Sequence, residues 1–194
     1  MFDKLAPFYD SFSEIFLPDL KEYILDRTEL EEKDKVLDVG GGTGQLMNVL
    51  SRIESTTRGY VIDRSKKMLS QANPNIDVIL GDVSYLPFDS NTFDLVLCID
   101  AFHHFERKER SLDEMIRVLK DRGEVMILEL EEGNPITGLV EKGERLFGEP
   151  TNFYEEDEIA EIFLEKGFEV KIEKINFFQY VLYAKRGDRE SIKD

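Results

Sequence analysis

Short apolar runs alternating with segments of helical spacing constrain this chain more than any other feature of its sequence. The runs Lys35–Val39, Gly59–Ile62, Ile76–Leu80, Phe93–Ile99 and Glu124–Leu130 are bounded by Gly, Asp and Asn, and they read as strands buried on both faces. Between them, Leu46, Met47, Leu50 and Ile53 recur at helical spacing, as do Leu112, Met115, Ile116 and Leu119 in the stretch that ends before Gly123. Parallel neighbours need a crossover about as long as a helix, and such crossovers are right-handed. The expected architecture is therefore α/β, a doubly wound Rossmann-like sheet.

After Pro150, the positions Ile159, Ile162 and Phe163 predict a further helix closed by Gly167. Glu169–Ile175 and Phe177–Ala184 then alternate as a β-hairpin would, so the sheet should have seven strands, mostly parallel, with a C-terminal antiparallel strand. Residues 1–33 read as a helical preface interrupted by Pro7 and Pro18, with Leu20, Ile24 and Leu25 at helical spacing. At 194 residues, all of this fits one domain able to bury a substantial core without a metal or disulfide staple.

Charge removes several function classes. Lys and Arg number 25 against 41 Asp and Glu, a formal charge of −16. Affinity for nucleic-acid backbones and anionic membrane surfaces comes from clustered basic residues, and no basic stripe is visible, so neither partner is expected. Cys98 is the single cysteine and lies in an apolar run, which leaves no disulfide framework and no CxxC-type metal site; no metal is expected. No apolar stretch approaches the roughly 20 residues of a membrane span, and Met1-Phe2-Asp3-Lys4 does not open like a secretory leader. A cytoplasmic protein without membrane insertion is the expectation.

The most informative segment is Val36-Leu37-Asp38-Val39-Gly40-Gly41-Gly42-Thr43-Gly44-Gln45, where an apolar strand breaks into four glycines before a helix. Glycines there permit positive φ and let backbone amides approach a ligand closely. The spacing does not fit G-x-G-x-x-G, because Gln45 or Met47 falls where the last glycine belongs, and no lysine follows to make a phosphate loop. What fits is Asp-x-Gly-x-Gly-x-Gly over Asp38, Gly40, Gly42 and Gly44, with Asp63 ending the second strand and Asp82 following the third. A carboxylate at the end of the second strand is placed to accept from a ribose diol, and one after the third could accept from an exocyclic amine.

These residues resemble the class I S-adenosylmethionine-dependent methyltransferases, by motif over roughly residues 30 to 132 and by order of elements over nearly the whole chain. Gly81-Asp82-Val83, Leu86-Pro87-Phe88 and Phe93-Asp94-Leu95-Val96 are similar to the ubiquinone and menaquinone C-methyltransferase-like branch, as is the opening Phe2, Ala6, Tyr9 and Asp10. The resemblance implies S-adenosylmethionine as cofactor, with the methionine part on Asp38, Gly40, Gly42 and Gly44, the ribose on Asp63, the adenine on Asp82 beside Val83, and Tyr9 as a lid contact. It also implies a division into a cofactor-binding core at 34–132, an acceptor-side insertion at 133–153, and a C-terminal helix and hairpin at 154–185. Two departures stand out. Leu119-Lys120-Asp121-Arg122-Gly123 keeps only the last glycine of the family's usual Leu-Lys-Pro-Gly-Gly, and Ile99-Asp100-Ala101-Phe102-His103-His104-Phe105 lacks the quinone enzymes' motif after the fourth strand.

Several residues carry two readings. Asp38 either touches the cofactor or braces the loop. His103 and His104, the only histidines, either take a proton from the acceptor or divide between packing and solvation. Phe102, Phe105, Phe147, Phe153 and Tyr154 line an acceptor pocket or belong to the core. The acidic run Glu155–Glu158 is a helix start favoured by the macrodipole. The expected activity is methyl transfer to a small-molecule acceptor by in-line displacement. The alternatives are a non-catalytic module that binds the same cofactor, or transfer of the cofactor's aminopropyl group.

Overall fold

A computed structural model of the chain describes residues 23–24, 26–28, 30–31, 33–53, 58–146, 148 and 151–187. Tyr9 and Phe147, with nearly all of the expected helical preface, lie outside the described residues. The described chain begins its regular structure with β1 (Lys35–Val39), α1 (Gln45–Ile53), β2 (Arg58–Asp63), a single helical turn α2 (Lys66–Leu69) and β3 (Asp77–Leu80). It continues through β4 (Phe93–Ile99), α3 (Lys108–Val118), β5 (Leu119–Leu130), α4 (Pro135–Leu146), α5 (Glu156–Glu165), β6 (Phe168–Asn176) and β7 (Gln179–Arg186). Two 3₁₀ turns, Val83–Tyr85 and Phe102–His104, follow β3 and β4.

The strands form one seven-stranded sheet in the order β3-β2-β1-β4-β5-β7-β6. β1 to β5 pair in parallel, while β7 runs antiparallel between β5 and β6, as the alternation and the terminal hairpin predict. Side chains alternate in direction along a strand, so successive residues fill two cores. Leu37, Val96, Cys98, Val125, Ile127 and Leu182 pack into one, and Val36, Leu95, Leu97, Met126, Leu128 and Val181 into the other. Burial on both faces explains why these strands read as unbroken apolar runs. No helix among the described residues is long and apolar enough to cross a membrane.

Strand bounds fall within two residues of the sequence reading except at the start of β5. Helical spacing carries on to Leu119, yet α3 stops at Val118 and β5 begins at Leu119, five residues before the expected Glu124. Phe93 pairs with Leu119 and Leu95 with Glu124, so the register shifts between them and the extra residues form an irregular lead-in. Gly123 permits it, because a Cβ there would sit 2.8 Å from the Leu119 side chain and 2.9 Å from the Asp94 carbonyl oxygen. The strand order reverses between β1 and β4, and the crevice at the carboxyl ends of these strands is where a doubly wound sheet accommodates a ligand.

Candidate functional site

At that crevice the chain leaves β1 through Gly40, Gly42 and Gly44, with φ of 74°, 55° and 69°. Left-handed backbone is open to glycine and strained for most other residues. Space is equally restrictive, since a Cβ on Gly40 would lie 2.7 Å from the Ala101 Cβ and one on Gly41 would lie 2.4 Å from Asp38 Oδ2. Space is not restrictive at Gly44, where a Cβ would make ordinary contact with Ala72 and Val61 at 3.4 and 3.5 Å, so its φ alone calls for glycine; its carbonyl accepts from Asn48 N–H at the start of α1.

Asp63 ties the loop to the second strand. Its carboxylate accepts from Gly42 N–H at 3.0 Å and from Ser65 N–H at 2.6 Å. Burial raises its pKa, and these two bonds pull it back. Asp82 caps the following 3₁₀ turn by accepting from Ser84 N–H at 2.8 Å, and its side chain is exposed. Gly40, Gly42, Asp63, Asp82 and Val83 line a single cavity of about 230 Å³ together with Asp100, Ala101, His104 and Phe105.

Asp38 and Gly44 do not line that cavity. Asp38 is 2% exposed beneath the loop, and burial, with the Asp63 charge second, pushes its pKa up to about 7. Its Oδ1 has no hydrogen-bond partner. A loop-bracing carboxylate would have its oxygens bonded to the loop amides, so bracing alone does not account for this one.

His103 and His104 sit in the 3₁₀ turn after β4, both buried. His103 Nδ1 lies 2.8 Å from Glu129 Oε2, and Glu129 Oε1 accepts from the backbone N–H groups of Phe102 and His103 at 2.7 and 3.3 Å. Burial opposes a charge on His103, but Glu129 prevails and lifts its pKa to about 10. Glu129 moves the other way, because the His103 partnership outweighs the cost of burial and lowers its pKa. On the far side of the pair, Glu144 Oε1 of α4 stands 3.6 Å from His103 Nε2 and 3.5 Å from His104 Nε2.

The His103 ring stacks on Phe153, with centroids 4.4 Å apart and planes at 23°. A second, more open cavity of about 740 Å³ adjoins the first and is lined by both histidines, Phe105, Lys108, Asn152 and Tyr154. Lys108, 7% exposed, places its ammonium 4.1 Å over the Tyr154 ring and donates to the Asn152 carbonyl; burial lowers its pKa to about 8. His104 and Phe105 wall both cavities, which joins the cleft at the glycine loop to one where Phe105 and Tyr154 stand among Arg107, Lys108, Arg110 and Arg145. Of the other candidate aromatics, Phe102 belongs to the core at 1% exposure.

Sequence reasoning passed over Asp100, Lys108, Glu129 and Glu144. Asp100 obeys the strand-end rule used for Asp63 and Asp82, and its positive φ of 51° marks a special turn after β4. Glu129 also left a signal, as a carboxylate inside the apolar run Val125–Leu130. Lys108 and Glu144 left none, because they reach the site from helices otherwise rich in exposed charge.

Comparisons with known proteins bear on the family and the fold. A family model described as a methyltransferase domain matches residues 37–127. The chain is 31% identical to the demethylmenaquinone methyltransferase of Thermotoga maritima, over 91% of this chain and 90% of that protein. It is 30% identical to a ubiquinone/menaquinone biosynthesis C-methyltransferase of Saccharophagus degradans over 73% of this chain, and spans only 62% of that protein's length. Among solved structures, a putative methyltransferase of Haloferax volcanii, captured with the Trm112 methyltransferase activator, superposes with a TM-score of 0.82 at 20% identity, covering 97% of this chain and 98% of that one. An S-adenosylmethionine-dependent methyltransferase of Aquifex aeolicus follows at 0.76 and 24%, covering 94% and 97%. At these identities the structural likeness establishes the fold.

Proposed function

The chain belongs to the class I S-adenosylmethionine-dependent methyltransferases, in the quinone C-methyltransferase branch, and from that premise we propose that its acceptor is a small aromatic molecule bearing an ionisable ring hydroxyl. Methyl transfer from S-adenosylmethionine to a small molecule is the activity; the acceptor's chemistry and the residue roles are the proposal. The carrying observation is that the glycine loop and the acids ending β2 and β3 line one cavity, and that His104 and Phe105 open it onto a neighbour where the Tyr154 ring stands among cationic side chains suited to a ring hydroxyl in its anionic form.

The cofactor's two cationic centres suit this cleft. Asp38, Asp63 and Asp100 all carry pKa values raised by burial, so a nearby cation offsets an existing cost. Gly40 and Gly42 let the loop amides approach the methionine part, while Gly44 holds the helix behind them. Asp63 keeps lone pairs for a ribose diol, and Asp82 and Val83 take the adenine edge. Asp38 acts from beneath, where its unpartnered Oδ1 senses the ammonium. Tyr9, a lid contact by family resemblance, lies outside the described residues.

The bound cofactor supplies an electrophilic methyl carbon whose bond to sulfur breaks with the electron pair left on sulfur. The protein's part is alignment and exclusion of water. Phe105 and Tyr154 hold the acceptor ring, Phe153 backs His103 from behind, Lys108 favours the anionic form of the acceptor, and His103 and His104 border the hydroxyl whose proton departs. The departure from the quinone enzymes' motif at Ile99–Phe105 favours an acceptor other than a polyprenylated quinone.

Isothermal titration calorimetry with S-adenosylhomocysteine, and with NAD as control, comes first. Saturable binding of the former alone supports the cofactor assignments. Incubation with simple hydroquinones and naphthols should then give products one methyl group heavier, and a mass gain confined to non-aromatic amines or thiols would overturn the acceptor class.

A further inference from the structure

We propose that His103, His104 and Glu144 bind one divalent transition-metal ion of the zinc or ferrous type, with Glu129 orienting His103. The site deepens the reading of the acceptor side, but its existence stands on geometry alone. Glu144 Oε1 is 3.6 Å from His103 Nε2 and 3.5 Å from His104 Nε2. The three ligand atoms all lie within 4.8 Å of one another. Metal bonds of about 2.0–2.1 Å arranged tetrahedrally place neighbouring ligand atoms about 3.3–3.4 Å apart, so the spacing suits an ion between them. It is long for hydrogen bonds, which lie at about 2.7–3.2 Å.

One orphaned ligand atom points the same way. His103 Nε2 is buried without a hydrogen-bond partner on a residue 3% exposed, and Glu144 Oε2, beside the ligating Oε1, is likewise unbonded. The other His103 nitrogen is committed, because Nδ1 and Glu129 Oε2 meet at 2.8 Å. That contact is a hydrogen bond rather than an edge of a coordination sphere. A carboxylate on the far nitrogen is the usual partner of a metal-bound histidine, since it fixes the tautomer and raises the basicity of the ligating atom. For the same reason Asp100, His103 and Glu129, which also cluster, are a poorer ligand set.

Three protein ligands leave at least one coordination position open, the arrangement of catalytic rather than structural zinc and of the two-histidine, one-carboxylate iron sites. His104 borders both cavities, so the open position serves an acceptor oxygen beside the cofactor. The proton of a coordinated ring hydroxyl leaves to water, and the ring carbon made electron-rich by it forms the new bond to methyl as sulfur keeps the old pair. Transfer of that carbon's proton back to oxygen restores the ring, for one proton released per turnover. The ion acts as a Lewis acid and is neither oxidised nor reduced.

The test is a cobalt(II) titration of the chelator-treated full chain, read by visible absorption, with zinc displacing the signal. One equivalent should bind and give the intense d–d bands of a four- or five-coordinate ion. Glu144→Gln and His104→Ala should each weaken binding by at least about tenfold, and Glu129→Gln by about 10–100-fold. Glu141→Gln, one turn away on α4, should leave it unchanged. Melting temperature and S-adenosylhomocysteine affinity, measured on every variant, show that the fold and the cofactor cleft persist. Absence of saturable binding, or equal binding by the Glu144 and His104 variants, would overturn the site and leave an ion-paired wall. Loss of S-adenosylhomocysteine binding by the unmodified chain would instead count against the cofactor cleft, so the two readings fail separately.

Discussion

The cofactor side and the acceptor side of this crevice are built by different means. The first is mostly backbone: glycines in left-handed conformations, amides of Gly42 and Ser65 held by Asp63, and a capped turn at Asp82, all from strand ends between residues 38 and 84. The second is made of side chains, with His103 from the turn after β4, Lys108 from α3, Glu129 from β5 and Glu144 from α4. A backbone-built site serves a constant ligand, whereas a side-chain-built one can change with its acceptor while the sheet stays the same.

If that contrast is right, the largest stability effect lies on the acceptor side. Glu129→Ala removes the partner of a buried histidine and two backbone N–H acceptances, and breaking such a pair costs about 3–5 kcal/mol. Urea denaturation should show a lower midpoint with unchanged slope. S-adenosylhomocysteine affinity should fall by less than the stability does; an equal fall would mean that the two sides form one cooperative unit and that the contrast is false.

Next in size is Asp63→Ala, which loses the acceptor of the Gly42 and Ser65 amides along with the proposed ribose contact. Hydrogen bonds to a charged group are worth about 1.5–3 kcal/mol, so calorimetry should show S-adenosylhomocysteine binding weaker by that amount. Unchanged affinity in a folded variant would remove Asp63 from the cofactor side.

The same contrast explains what could be read from sequence. Parallel strands announced themselves as apolar runs because both faces are covered, and the glycine loop with Asp63 and Asp82 was legible because each residue follows its strand end by a fixed rule. Gly44 satisfied the spacing yet does not line the cavity, since spacing does not distinguish a glycine that faces a ligand from one required only by a left-handed turn into the helix. The early start of β5 was hidden because Leu119 completes a helical pattern while its burial belongs to the sheet. Glu129, Glu144 and Lys108 are more than a helix apart in sequence, and only the crossing of β5, α4 and α3 beside one turn brings them together. That is why the two histidines could be noticed and their partners could not.

The smallest effect sharpens the cofactor side through protons. Asp38 has a folded pKa of about 7, well above the roughly 3.9 of a free Asp. The folded state therefore holds a proton that the unfolded state has released, and Asp38 contributes a loss of stability that grows as pH rises from about 4 to about 7 and is constant above. A bound ammonium lowers this pKa, so cofactor affinity should rise with pH up to about 7 and then level off, by about 1.4 kcal/mol for each unit of lowering. Calorimetry in buffers of different ionisation enthalpy should detect proton release near pH 6 and none at pH 8.5. In Asp38→Asn the release should vanish while the cofactor-free protein gains stability at pH 8. Release that survives the substitution would assign the proton to Asp63 or Asp100, the other carboxylates of the cleft, and reduce Asp38 to a brace beneath the loop.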